Sequence, residues 1–290
     1  MSKMCCALAV LAGCGIQLNE KVGGDAAVAD SPPQVDAAVP DAPLPTGPFG
    51  TPMKILGLSS DALAEDDITL NRAETEVIFA ANLANGKELY TARRANKDAA
   101  WGTPAAIPAL ASAGSDSAGR FSADELAFFY GGVRGGASED VWVTTRATVD
   151  SPWGAPTRLA VVNSNGQDRW YNPCGNRYVM VSDRTNAGDF DLYEGVVGAA
   201  PTRLSISTAG SGDISPYLTS DCLTLYWSHD ADIYLATRAT IDAPWQAQGV
   251  AADLSTAASN EQDPWMSVDR HRMYFSSNAD GEFDLYLATR

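Results

Sequence analysis

DIYLATR (232–238) and DLYLATR (284–290) are two copies of one phrase, and three looser copies precede them: ELY (88–90), DVW (140–142) and DLY (191–193). Their first residues fall at intervals of 52, 51, 41 and 52. A period of roughly 40–50 residues with several short strands per unit marks a propeller blade or a related repeat array. Upstream of each copy lies a short apolar run: EVIFAA (76–81), LAFFYG (126–131), RYVMVS (177–182), TLYWSH (224–229) and RMYFSS (272–277). Runs of this length, rich in β-branched and aromatic residues, suit strands covered on both faces. Each unit reads as four strands, A to D from the axis outward, with the apolar run as B and the repeated phrase as C.

Strands C and D are joined by a connection that is nearly copied between units: ANKDAAWGTP (95–104), ATVDSPWGAP (147–156) and ATIDAPWQAQ (239–248). The third unit shortens it to GVVGAAP (195–201), which accounts for most of the 41-residue interval. The fifth phrase ends at Arg290, and the connection it lacks stands near the start. There Pro48, Phe49, Gly50, Thr51 and Pro52 match Pro152, Trp153, Gly154, Ala155 and Pro156. The expectation is an all-β fold: one five-bladed β-propeller of four-stranded blades over residues 48–290. The N-terminal segment should pair with the last blade and remove the free edge of an open array. No window sustains the i, i+3, i+4 periodicity of a helix.

The fifth unit carries Pro264, Trp265, Ser267 and Asp269, then Met273 to Phe275, then Ser276, Ser277 and Asn278, and finally Asp284, Leu285 and Tyr286. The third keeps Ser182, Asp183, Arg184, Asp191, Leu192 and Tyr193. This pattern resembles the repeats of TolB-type propellers, which are loosely WD-repeat-like. The resemblance implies the fold and no single activity, because propellers serve many unrelated roles.

Ahead of the repeats, Lys3 is followed by the apolar stretch 4–13 and then Cys14. Leu11, Ala12, Gly13 and Cys14 resemble the lipobox of a bacterial lipoprotein signal. That resemblance implies a signal peptide over 1–13, diacylglycerol on Cys14, and a lipid-anchored protein of the cell envelope. Gly15, rather than Asp, points to the outer membrane, with the side of that membrane left open. Residues 14–47 read as a tether rich in Ala, Pro and Asp. Net charge is −16, from 20 basic and 36 acidic residues, which argues against nucleic acid and against direct adsorption to an anionic surface. The expected membrane contact is the lipid alone.

Cys174 and Cys222 are the cysteines left in the repeats, at the same hairpin of adjacent units. The sequence leaves a disulfide and two separate thiols both open. The recurring aromatics (Tyr90, Trp142, Tyr193, Tyr234, Tyr286, and Phe49, Trp101, Trp153, Trp245) read as sheet packing. Arg94, Arg146, Arg238 and Arg290, four residues beyond the strand-C aromatic, read as turn or blade-to-blade contacts.

Counting back from the B runs puts Asp67, Asp168 and Asp263 at one position ahead of strand A, with Asp116 and Asp213 two residues earlier. Strand A opens into the central channel of a propeller, so five carboxylates are expected around one mouth. They could cap local turns, bind Ca2+ or a similar hard cation, or supply acid/base chemistry from the trio Asp67, Asp168 and Asp263. No other cofactor is indicated. The C–D connections are near copies, whereas the D–A and B–C loops differ, and variable loops on a rigid scaffold are where recognition is built. The expected function is a non-catalytic binding or scaffold module of the envelope, meeting a protein or glycan through the D–A/B–C face. The alternative is a glycoside hydrolase on the same fold.

Overall fold

The computed structural model describes residue 45 and residues 47–290 apart from 61, 85, 137, 209 and 211. The signal, Cys14 and nearly all of the tether lie outside the described residues. The described chain forms five sheets of four antiparallel strands. Blade 1 consists of Glu65–Leu70, Glu76–Leu83, Gly86–Arg93 and Ala105–Ala106, and blade 2 of Asp116–Phe121, Ala127–Gly132, Asp140–Thr145 and Thr157–Arg158. Blade 3 consists of Asp168–Cys174, Arg177–Ser182, Asp191–Val196 and Thr202–Arg203, and blade 4 of Ile214–Leu218, Thr224–His229, Asp232–Thr237 and Gln246–Val250. Blade 5 takes Glu261–Met266, Arg272–Ser277 and Asp284–Thr289 from the C-terminus and Met53–Lys54 from the N-terminus.

The ring closes as the sequence predicts. Met53 pairs with Leu287 and Lys54 with Tyr286, and Gly50 N donates to Thr289 O at 2.8 Å. Phe49 is buried beneath the Arg290 guanidinium, 4.3 Å from the ring centre, and its backbone N donates to Asp253 of the blade 4–5 loop.

The core is a set of wedges between neighbouring blades. In strand B of blade 1, Val77, Phe79 and Ala81 pack towards blade 5 with Trp265 and Tyr274. The alternate residues Ile78 and Ala80 pack towards blade 2 with Phe128 and Tyr130. Both sheet faces are covered, which is why the B runs are continuously apolar rather than alternating. Each large side chain removed from water there contributes on the order of 1.5–3 kcal/mol.

The repeated arginines and aromatics form one device. Arg94, Arg146, Arg238 and Arg290 donate from Nε to the A–B turn carbonyls of Glu74, Glu125, Cys222 and Arg270 at 2.6–2.9 Å. Their guanidinium carbons lie 4.0–4.3 Å from the ring centres of Trp101, Trp153, Trp245 and Phe49. The C–D connection is thereby fastened to the turn beside it, by a hydrogen bond and a cation–π contact together. Cys174 and Cys222 are joined in a disulfide that links blades 3 and 4, with Cα atoms 5.9 Å apart.

Every A strand carries a β-bulge against strand B, at Asp67, Ala118, Trp170, Ser215 and Asp263. Each of these residues has a positive φ, between 48° and 59°. A left-handed conformation costs a non-glycine residue roughly 1–2 kcal/mol, and a bulge re-aims its side chain. Five blades bear that cost at one position, the innermost one.

Candidate functional site: the channel plug and the loop face

Ladder register corrects the alignment of the acids. Glu65 pairs with Ala81, Asp116 with Gly132, Asp168 with Ser182 and Glu261 with Ser277, while Asp213 directly precedes the Ile214–Ser228 pair. These five occupy one repeat position, two residues before the bulge. Asp168 therefore belongs with Asp116 and Asp213, and not with Asp67 and Asp263. The cause is the A–B hairpin of blade 3. Cys174 pairs with Arg177 across a tight Gly175–Asn176 turn, with Gly175 at φ 58°, so counting back from strand B overshoots by two residues.

The five acids of that position are buried and committed to the D–A loop beside them. Asp116 accepts from Ser112 N at 2.7 Å, and Asp168 from Ser164 N and Oγ at 2.6 and 2.8 Å. Asp213 accepts from Thr208 N at 3.0 Å and from the Ser207 hydroxyl. Glu65 accepts from Ser60 N and Oγ, and Glu261 from Thr256 N. A Ser or Thr four or five residues upstream recurs in all five loops, and the acid satisfies its backbone donor. Opposite charges complete two of the sites, with Arg184 2.6 Å from Asp168 and Arg134 3.4 Å from Asp116, and in a third His229 Nδ1 lies within hydrogen-bond distance of Asp213, at 2.8 Å.

Asp67 and Asp263 sit at the bulge, deeper in the channel and 1% exposed. Asp67 N donates to Asp263 Oδ2 at 2.9 Å, and Trp170 Nε1 reaches from blade 3 to Asp67 Oδ1 at 2.7 Å. Asp263 also accepts from Ser215 and Ser276 hydroxyls, at 2.5 and 3.0 Å. Lys87 Nζ lies 2.5 Å from Asp66 and 3.2 Å from Asp67. Arg120 of blade 2, 2% exposed, donates to the carbonyls of Gly119, Ile68 and Pro264. Side chains from all five blades thus fill the axis. Lys87 brings to Asp66 and Asp67 the positive charge that a bound cation would otherwise supply.

The cluster is electrostatically uneven. Burial, reinforced by the Asp67 charge, pushes the Asp66 carboxyl well above the usual range. Burial and the same neighbour push Asp263 up to about 6. Burial also opposes ionisation of Asp67, but Lys87 and the Trp170 hydrogen bond outweigh it and hold that carboxyl below its ordinary value. Lys87 is held protonated by Asp67, Asp66 and Asp263 against its own desolvation. Asp67 and Asp263 are therefore hydrogen-bonded charges sealed in a plug.

Open space lies instead on the face shared by the D–A and B–C loops. One concavity of about 400 Å3 is lined by Leu83, Gly86, Lys87, Glu88 and residues 112–114. A second, of about 260 Å3, is lined by Asp230–Asp232, residues 256–260 and Asn278. Each sits where a B–C hairpin is short: Leu83 pairs with Gly86 in blade 1 and His229 with Asp232 in blade 4. Sequence reasoning had placed recognition on this face but missed Asp66, Lys87, Arg120 and Trp170. The run Glu65–Asp66–Asp67, three successive acids where the other blades have one or two, was the signal available.

The fold is a five-bladed β-propeller, similar in architecture to TolB and to glycoside-hydrolase propellers. No protein-family model matches the sequence, and no curated protein matches it either. Among solved structures it is similar to a TolB from Agrobacterium tumefaciens, with TM-score 0.52, 11% identity, and 79% of this chain and 77% of that one covered. It is similar also to an α-L-arabinofuranosidase from Podospora anserina in complex with cellotriose, with TM-score 0.55, 14% identity, and 85% and 98% covered. A thermostable family-43 glycoside hydrolase gives TM-score 0.57 at 10% identity, with 79% and 89% covered. The chain spans 54% of the length of the TolB it matches from Acinetobacter baumannii. At these identities the likeness is one of fold.

Proposed function

We propose that this protein is a lipid-anchored propeller of the bacterial cell envelope that works as a non-catalytic binding module, meeting its partner through the D–A/B–C loop face. One observation carries the reading: the axis is closed by internally paired charges, while both concavities open on the face where the repeat copies diverge. A rigid ring with variable loops on one side is a recognition scaffold. The lipobox at Cys14 supplies the anchor, the tether the reach, and the outer membrane the location. A Ca2+ ion at the acid cluster is the weaker proposal, since Lys87 already pairs with Asp66 and Asp67.

Glycoside hydrolysis has support from the fold of the neighbours and less from the site. Hydrolysis needs two carboxylates flanking a substrate cleft, one free to donate a proton. Asp67, Asp168 and Asp263 are at most 1% exposed, and each is hydrogen-bonded within the protein. Two assays test the reading together. Purified protein incubated with arabinoxylan and cello-oligosaccharides should release no sugar. Bulky substitutions at Ala113 and Ala258 should abolish association with its envelope partner and leave the melting temperature in place. Sugar release that is lost in Asp263→Asn would overturn it.

A further inference from the structure

The acid that opens strand C recurs in every blade, as Glu88, Asp140, Asp191, Asp232 and Asp284. In three blades a basic residue of strand D neutralises it. Arg158 forms a two-pronged pair with Asp140 at 2.7 and 2.8 Å, Arg203 lies 2.6 Å from Asp191, and Lys54 lies 2.8 Å from Asp284. Those bases share one register position, opposite the strand-C aromatic: Arg158 faces Trp142, Arg203 faces Tyr193 and Lys54 faces Tyr286. In blades 1 and 4 the same position holds Ala106, opposite Tyr90, and Val250, opposite Tyr234. Glu88 and Asp232 accordingly have no side-chain partner among the described residues. Both are half-buried, and each lines one of the two concavities.

We propose that Glu88 and Asp232 are receptor carboxylates for two cationic side chains of a basic polypeptide segment lying across the loop face. The proposal rests on the reading of that face as the binding surface and names the chemistry it selects. Each concavity offers the carboxylate that an intramolecular Arg or Lys occupies elsewhere in the ring, so the missing partner is a guanidinium or an ammonium. In the blade 4 concavity the exposed Asp230 carboxylate adds a second acceptor, with His229 Nε2 at 3.4 Å from it. In the blade 1 concavity the charge of Lys87 is already committed to Asp66 and Asp67. Neither lining contains an aromatic ring on which a sugar could stack. At about 400 and 260 Å3 one lies near the small end of ligand pockets and the other below it, which favours a single extended side chain in each. A charge-assisted, two-pronged contact is the geometry Arg makes best.

The test uses the full chain and a fluorescein-labelled octa-arginine peptide, followed by anisotropy at about 150 mM salt, where distant charges are screened. Glu88→Gln with Asp232→Asn should weaken binding at least tenfold. Ala106→Arg with Val250→Arg, which installs the absent bases, should weaken it as much while leaving both carboxylates in place. Asp140→Asn with Asp150→Asn makes the same two-charge change at an arginine-paired acid and at an exposed acid of the opposite face, and should change affinity less than twofold. Equal weakening in all three variants would show attraction to bulk charge and overturn the proposal. So would no weakening in the first two, or no binding by the wild type. Crosslinks from the loop face to an envelope partner that persist under such a failure would sink this inference alone; their absence would sink the binding reading beneath it.

Discussion

Cys174 and Cys222 are bonded between blades 3 and 4 at the position where Asn71 Nδ2 donates to Glu125 at 3.3 Å between blades 1 and 2. The clasp recurs between blades 4 and 5 as the Asp221–Arg270 ion pair, and between blades 5 and 1 as Tyr274 donating to Glu74 at 2.7 Å. Glu74, Glu125, Cys222 and Arg270 all sit at the turn apex with φ between 56° and 61°. In these four blades the apex of the turn thus reaches back to the preceding blade, and one of the four clasps is covalent.

Removing that covalent clasp should loosen one seam. With a sequence separation of 48, Cys174→Ser with Cys222→Ser should cost about 2–4 kcal/mol. Urea denaturation of the variant, and of the wild type with and without reductant, measures it. Equal midpoints would show that the neighbouring packing alone secures the seam.

Arg146 holds three groups at once: the Glu125 carbonyl, Glu76 across the blade boundary at 2.9 Å, and the face of Trp153. It is buried. Arg146→Ala leaves the buried Glu76 carboxylate with only the half-exposed Arg93 guanidinium, 3.1 Å away, and should cost about 3 kcal/mol, seen as a clear fall in melting temperature. Arg146→Lys should recover part of the loss at most, because an ammonium cannot span all three partners.

Stability should rise as pH falls from 8 towards 5.5. Burial raises the carboxyls of Glu65, Asp66, Asp116, Glu139 and Asp263, the last to about 6. A group raised in the folded state binds protons there that the unfolded chain does not. Its contribution is complete below the unfolded value near 4 and is lost as pH climbs through the folded value. Below about pH 4 the trend should reverse, since Asp67, Asp191, Asp221 and Asp269 are held low by their partners and must be protonated to unfold. Melting temperatures from pH 3 to 8 check the sign, and Asp263→Asn should flatten the slope between pH 5 and 7.

The closing segment carries core as well as an edge strand. Phe49→Ala should cost about 3–5 kcal/mol, as for a buried aromatic. Met53→Ala, four residues on but 64% exposed, should move stability by less than about 0.5 kcal/mol. Paired denaturation curves for the two variants separate packing from mere presence of the segment.

The ring was legible because its parts repeat: the apolar B runs and the strand-C phrase recur in all five blades, and the aromatic C–D connection in every blade but the third, where it is shortened. Closure was legible for the same reason, in Pro48 to Pro52. The acid position was not, because a two-residue difference in one hairpin shifts Asp168 relative to Asp67 while leaving the local pattern intact. Strand-B counting cannot see a turn-length change, whereas ladder register can. The pairing of Lys87 with Asp66 and Asp67 was hidden for another reason: it joins one blade's A and C strands at the channel with residue types the repeat does not keep, the equivalent contact in blade 2 being Ser117 with Glu139. Ala106 and Val250 stood in plain view among Lys54, Arg158 and Arg203, and gain meaning only once the strand-C acids are known to be paired.

The central claim is that the D–A/B–C face binds a partner. A photo-crosslinking residue placed in the full-length protein at Ala113 or Ala258, on that face, or at Asn96 or Asp242, on the opposite one, tests it in intact envelopes. All four positions are exposed. Discrete crosslinked species from Ala113 and Ala258, and none from Asn96 and Asp242, are the predicted result. Crosslinks confined to Asn96 and Asp242 would contradict it.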